Sequence, residues 1–370
     1  MIYFDHNATT PIDARVVDVM LPYLRDFYGN PSSLYRMGRV VKSAIETARE
    51  QVATLVDTQA KQIIFTSGGT EANNLALKTV STNENIAISS VEHPSIIDPV
   101  TKNKLENNFS FIPVDKQGRV LPTSIEALLK QSEIPSLVSV MLANNENGVI
   151  QNVKEIASFL SDKQILVHTD AIQAIGKIPV SFSDLGVDLM SLSSHKIYGP
   201  KGCGALVIEK SVDIDPLLVG GGQEKGWRSG TENVAAIVGF GKAAELASLE
   251  LKQRAEYLLK LRIFFEQQLK TIPGLIIFSE QTERLPNTVQ FGIKGMDGEM
   301  LLMQLDQKNI AVSSGSACSS GGGKASPVLL AMGVENSLAK SAIRISLGKM
   351  NTIVEINEFI TILKTIVTKV

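Results

Sequence analysis

Ser193-Ser194-His195-Lys196-Ile197-Tyr198-Gly199-Pro200-Lys201-Gly202 decides how this chain is read. It sets a lysine at the boundary between an apolar run, residues 187–192, and a Gly/Pro loop. A short apolar run bounded by such a loop reads as a buried strand. A lysine at a strand end beside a cavity loses its proton by desolvation and becomes a nucleophile toward an aldehyde. Upstream, His168-Thr169-Asp170-Ala171-Ile172-Gln173 closes a second apolar run, residues 165–169, with an acid.

Working outward, further apolar runs at 62–66, 86–89, 110–114, 137–142 and 205–208 alternate with helix-length patterns at 70–80, 123–131 and 153–160. Strands alternating with helices predict an α/β fold with a mostly parallel, seven-stranded sheet covered on both faces. In such sheets ligands gather at the carboxyl ends of the strands. Thr70, His93, Asn145, Asp170 and Lys196 all fall there. From residue 234 to about 269 the pattern is one long helix, with Leu251, Ala255, Leu258 and Leu259 at helical spacing and Pro273-Gly274 as the stop. Shorter strands at 275–278, 288–291, 310–313 and 342–346 and a last helix from about 352 follow. They predict a smaller α+β domain, joined by the N-terminal segment. The expected division is a large domain over 16–255 and a small one over 1–15 and 256–370.

Composition narrows the functions. With 370 residues, 44% hydrophobic and 20% charged, the chain has the make-up of a globular protein with a sizeable core. A net charge of −2 with no basic block argues against direct nucleic-acid binding. The N-terminus, Met1-Ile2-Tyr3-Phe4-Asp5-His6, lacks the basic and apolar regions of a signal peptide. No apolar run approaches the roughly 20 residues of a membrane helix. Only two cysteines are present, so a reducing, cytoplasmic compartment is expected, without membrane association.

Pyridoxal phosphate needs the pair with which the reading began: a lysine to hold its aldehyde and a carboxylate to keep its ring nitrogen protonated. Ser67-Gly68-Gly69-Thr70-Glu71-Ala72-Asn73-Asn74 follows a strand and opens a helix, so its free N–H groups suit a phosphate, although an ordinary N-cap turn has the same form. Gly220-Gly221-Gly222 through Arg228-Ser229-Gly230-Thr231 is a second glycine-rich loop with hydroxyl and guanidinium donors. Gly321-Gly322-Gly323-Lys324-Ala325-Ser326 is no nucleotide P-loop, because position 318 is Cys and Ala follows the lysine. His93 has the flat ring and proton chemistry to sit against an aromatic cofactor, or is an ordinary structural histidine. Four histidines without HxxxH or CxxC spacing predict no metal site. Cys203, between Gly202 and Gly204, reads as a small buried hydrophobe. Cys318, in Ser313-Ser314-Gly315-Ser316-Ala317-Cys318, has the polar, glycine-rich surroundings of a reactive thiolate. Arg344 is the lone charge of an alternating strand, suited to a carboxylate or to a salt bridge.

Together with Asp5-His6-Asn7-Ala8-Thr9-Thr10-Pro11, Gly29-Asn30-Pro31, Asn144-Asn145-Glu146 and Arg344-Ile345-Ser346, these motifs resemble the NifS/IscS-type cysteine desulfurases of the fold-type I, class V aminotransferase superfamily. The resemblance spans nearly the whole chain. It implies that Lys196 holds pyridoxal phosphate and then serves as acid and base at the substrate Cα. Asp170 would pair with the ring nitrogen, Gln173 would meet the ring hydroxyl, and His93 would stack on the ring. Gly69, Thr70, Ser193 and His195 would hold the phosphate, and Thr231 would reach the phosphate of a neighbouring subunit in a homodimer. Asn145 and Arg344 would grip the carboxylate of L-cysteine, and Cys318 would take its sulfur. The expected partner is a sulfur acceptor, an iron–sulfur scaffold or a thiolation enzyme. A selenocysteine lyase, another class V enzyme of the same cofactor, or a silent homologue serving as a binding module remain the competing readings.

Overall fold

A computed structural model describes residues 1–81, 84–102, 108–130, 133–314 and 324–368. The central sheet has seven strands in the order Ile63–Thr66, Gly204–Ile208, Leu189–Ser193, Leu166–Asp170, Leu137–Ser139, Asn85–Ser89, Asn108–Ile112. All neighbours pair parallel except those of Gly204–Ile208, which runs against both of its partners. The expected α/β class and strand number are met.

Period-two side-chain alternation explains why these strands read as unbroken apolar runs. Val138, Val167, Met190, Leu192, Ala205 and Val207 join one core. Ile64, Ile86, Ile88, Leu137, Leu189 and Leu206 join another on the opposite face. The first is covered by the helices Arg36–Leu55 and Val234–Leu269, the second by Gly69–Leu77 and Pro94–Thr101. The sequence reading assigned no helix before residue 70, yet Ala14–Arg25 and Arg36–Leu55 are helical. Their signal was present: Val41, Ile45, Ala48 and Val52 recur at helical spacing and are all buried. Arg36–Leu55 crosses the long helix so closely that a Cβ on Gly241 would lie 2.6 Å from Ala48 Cα.

The Val234–Leu269 helix, about 54 Å long at 1.5 Å per residue, begins in the first core and ends with Leu258, Leu261, Phe265 and Leu269 in a third. That core underlies an antiparallel sheet ordered Ser313–Ser314, Ile343–Ser346, Thr288–Ile293, Leu275–Ile277. The predicted strand 310–313 is two strands. Ile310–Ala311 pairs with the N-terminal Ile2–Tyr3, and Ser313–Ser314 turns to Ile343–Ser346. Phe4 packs on Phe265 and Phe359, so the chain's first residues belong to this core.

A buried ion pair holds the second glycine-rich loop. Arg49 donates from both terminal nitrogens to Glu224, each at 2.7 Å, and Phe65 N donates to Glu224 at 2.9 Å. Glu224 and Lys225 have φ of 46° and 61°, a left-handed pair that needs such an anchor. Glu224→Ala strands the guanidinium, and urea denaturation is expected to register a loss of about 3–5 kcal/mol. A loss below about 1 kcal/mol would show that water replaces the carboxylate.

Candidate active site

The carboxyl ends of the parallel strands converge on one cavity of about 320 Å³. Asp170 is the last residue of its strand, and Lys196 closes the single turn that follows Ser193. The turn is built for its place. A Cβ on Gly199 would lie 2.1 Å from Ser194 Oγ, and Tyr198 takes a left-handed φ of 69° with its N–H donated to Thr10 Oγ1. The N-terminal segment crosses above it: Lys196 Nζ donates to the carbonyls of Asn7 at 2.6 Å and Ala8 at 2.7 Å.

Gly69, Thr70, His93, Asn145, Asp170, Gln173, Ser193, His195, Lys196 and Arg344 all line this cavity. Thr231 does not. It is exposed and borders a separate cleft with Arg228 and Gly230. Cys318 lies outside the described residues. The chain enters that stretch at Ser314, next to Ser313, which is paired in register with Arg344. It is described again from Lys324, two residues before Ser326, whose hydroxyl donates to Glu146. Cys203 is buried, and burial pushes its thiol far above the usual range.

Asp170 accepts from Asn73 Nδ2 at 2.8 Å and from Ile172 N at 2.9 Å. The other Asn73 hydrogen goes to Ser95 Oγ at 2.8 Å, which lies 2.8 Å from His93 Nδ1. Nδ1 also accepts the Ser95 main-chain N–H at 3.1 Å, capping the helix Pro94–Thr101. A ring nitrogen facing a main-chain donor is an acceptor, so the proton of the neutral His93 ring sits on Nε2. Burial lowers the His93 pKa, with Asp170 opposing. His195 is lowered to about 4 by burial and by Lys196, so it is neutral at pH 7.

At the end lined by Gly69 and Ser193, the helix Gly69–Leu77 starts after Gly68, which supplies no side-chain cap. A Cβ on Gly69 would meet Ile172 Cδ1 at 2.2 Å. Ser193 Oγ is buried with no hydrogen-bond partner among the described residues. At the opposite end Arg344 donates to Asn145 O at 3.1 Å and to Asp5 Oδ1 at 2.6 Å, and its Nε has no partner among the described residues. Burial raises the carboxyl of the neighbouring Glu146 to about 7.

Residues 2–359 match the family model "Aminotransferase class-V". The chain belongs to the class-V aminotransferase family. It is 42% identical to "Cysteine desulfurase IscS" of Dictyoglomus turgidum, covering 100% of this chain and 95% of that protein. It is 43% identical to "Cysteine desulfurase IscS" of Methanosarcina thermophila, covering 100% and 92%. The solved structure of a NifS-like protein from Rickettsia africae superposes with a TM-score of 0.92 at 40% identity, covering 100% of this chain and 99% of that one. Pyridoxal phosphate is the cofactor of this family. The cavity fits it: an amine and a buried, doubly hydrogen-bonded carboxylate face one space, with an uncapped helix start and an unpartnered buried hydroxyl at its end. No described helix is long and apolar enough to cross a membrane.

Sequence reasoning missed Asp5, Asn7, Asn73, Ser95 and Lys177. Three of them, Asp5, Asn7 and Asn73, lie within motifs that were read, and Ser95 lies two residues past His93. Their side-chain partners are set by tertiary packing, which spacing does not report.

Proposed function

We propose that this chain is a pyridoxal-phosphate-dependent cysteine desulfurase that converts L-cysteine to L-alanine and passes the sulfur on as a Cys318 persulfide. The observation that carries the reading is the joint facing of Lys196, Asp170, His93, Asn145 and Arg344 onto one cavity. When bound, pyridoxal phosphate supplies an electron sink for the pair left at the substrate Cα. Lys196 would hold the cofactor's aldehyde carbon and move the proton at the substrate Cα. Asp170 would receive the ring N–H, Gln173 would donate to the ring oxygen, and His93 would stack on the ring. Gly69, Thr70, Ser193 and His195 hold the phosphate. Arg344 and Asn145 orient the substrate carboxylate. The Cys318 thiolate attacks the substrate sulfur. An S–S bond forms as the Cβ–S bond breaks, the electron pair stays with carbon, and a proton taken up there completes alanine.

The working unit in this reading is a homodimer in which Thr231, exposed on its anchored loop, reaches the neighbouring subunit's phosphate. The chain divides into a large domain over 16–255 and a small one over 1–15 and 256–370, a division supported by the separate cores around the two sheets. The acceptor is an iron–sulfur scaffold or a thiolation enzyme in a cytoplasmic, reducing compartment, supported by an inventory of two cysteines.

The test is product release from L-cysteine with excess reductant. Alanine and sulfide in equal amounts are expected. Alanine release from L-selenocysteine alone would replace this reading with a lyase, and keto-acid formation without sulfide would replace it with a transaminase. Asp170→Ala removes the partner of the ring nitrogen and is expected to cost about 10²-fold in alanine release. Turnover within threefold of native would remove Asp170 from that role.

A further inference from the structure

Lys177 is a buried lysine whose nitrogen is held by two amide oxygens. Its Nζ donates to Asn7 Oδ1 at 2.9 Å and to Gln173 Oε1 at 2.8 Å, and no carboxylate pairs with it among the described residues. Nearby charges are Lys196 and Arg344, both cationic, and burial drives its pKa well below the usual lysine range. Burying an amine among cations is costly, so a use for it is to be sought. Charged or neutral, the nitrogen has the two hydrogens that its bonds need.

Those bonds decide an orientation that an amide leaves open. An ammonium only donates, so a charged Lys177 requires Gln173 to turn Oε1 toward it. A carbonyl oxygen only accepts, so Gln173 must turn Nε2 toward Asn7 O, which it meets at 3.0 Å. Both partners require the same rotamer. One Nε2 hydrogen is spent on Asn7, and the other belongs to a side chain that lines the cavity. Asn7 is pinned in turn, its Oδ1 shared by Lys177 and Asn287, its Nδ2 given to Thr288 Oγ1 and Asn145 O.

We propose that Lys177 is a positioning residue that holds the Gln173 amide with an N–H, and not its oxygen, toward the ring oxygen of the cofactor. The inference rests on the proposed function, in which Gln173 meets that oxygen. Removing Lys177 leaves that orientation to the Asn7 carbonyl alone of these two partners, so the amide turns its oxygen inward more often and there repels the ring oxygen.

The experiment is a double-mutant cycle of Lys177→Met and Gln173→Met, read by the dissociation constant for pyridoxal phosphate and by the visible absorbance of the holoprotein. Thermal melting of the apoproteins serves as the folding control. Lys177→Met is expected to weaken binding about tenfold and to shift the visible band. In the Gln173→Met background the same change should cost less than about twofold. Should Lys177→Met fail to fold, Lys177→Gln, a neutral donor, is expected to keep the native affinity and band. Equal losses in both backgrounds, or no change in either readout, would overturn the role of Lys177 while native cofactor binding, abolished as a visible band in Lys196→Ala, leaves the proposed function standing. A native chain that takes up no pyridoxal phosphate would overturn both.

Discussion

With Lys196 replaced by Ala, alanine release from L-cysteine is expected to fall by about 10⁴-fold, the upper range for a positioned acid–base group. The size of the effect follows from the surroundings of its amine. Nζ is held by the carbonyls of Asn7 and Ala8 at 2.6 and 2.7 Å, on the strand-end turn that faces the cavity. The buried Lys177 has its nitrogen committed to Asn7 Oδ1 and Gln173 Oε1 and is no substitute. The variant takes the donor from the Ala8 carbonyl, while Asn7 O keeps Gln173 Nε2; the loss is about 1–3 kcal/mol if water does not replace it, so thermal melting of native and variant must accompany the rates. A properly folded variant within tenfold of native turnover would take Lys196 out of the chemistry.

Much of the scaffold was legible because its signals are local. The central strands other than the edge strand Asn108–Ile112 are buried on both faces, so even a single sequence marks them as short runs between turns. The breaks after 66, 169 and 192 put Thr70, Asp170 and Lys196 at one edge. What failed was pairing. Residues 310–313 form one apolar stretch, and nothing in them says that Ile310 answers to Ile2 while Ser313 answers to Arg344. The helices before residue 70 were overlooked for a different reason: charged residues such as Lys42, Glu46, Arg49 and Glu50 dilute a stripe that is apolar on one face only.

The site divides along the same line. Residues that carry chemistry by type, such as Lys196, Asp170 and Arg344, announced themselves as a polar group at the end or middle of an apolar run. Residues that act by holding others did not. Asn73, fully buried between Asp170 and Ser95, looks in sequence like one of two interchangeable asparagines. Asp5, expected only as part of a motif, binds the Arg344 guanidinium, so the arginine is salt-bridged and still has an Nε without a partner among the described residues. The two alternatives read for it in sequence are therefore not exclusive.

Cys318→Ala is expected to lower sulfide and alanine release from L-cysteine together, by about 10³-fold or more, as for loss of an attacking nucleophile. The remaining cysteine offers no detour. Cys203 is buried at the start of the strand Gly204–Ile208, and with its pKa driven up by burial it has almost no thiolate at neutral pH. What should survive is the step before sulfur leaves. Lys196, Asp170 and Arg344 are untouched by the change, so exchange of the substrate Cα hydrogen in deuterated water should continue in the variant. Mass spectrometry of recovered cysteine measures it. Exchange without product locates Cys318 at the sulfur-transfer step. Product at the native rate would mean that the Cβ–S bond breaks without a thiolate, and the lyase reading would then replace the desulfurase. Loss of both exchange and product would mean that the thiol is needed earlier, to seat the substrate, and the transfer role would fall with it.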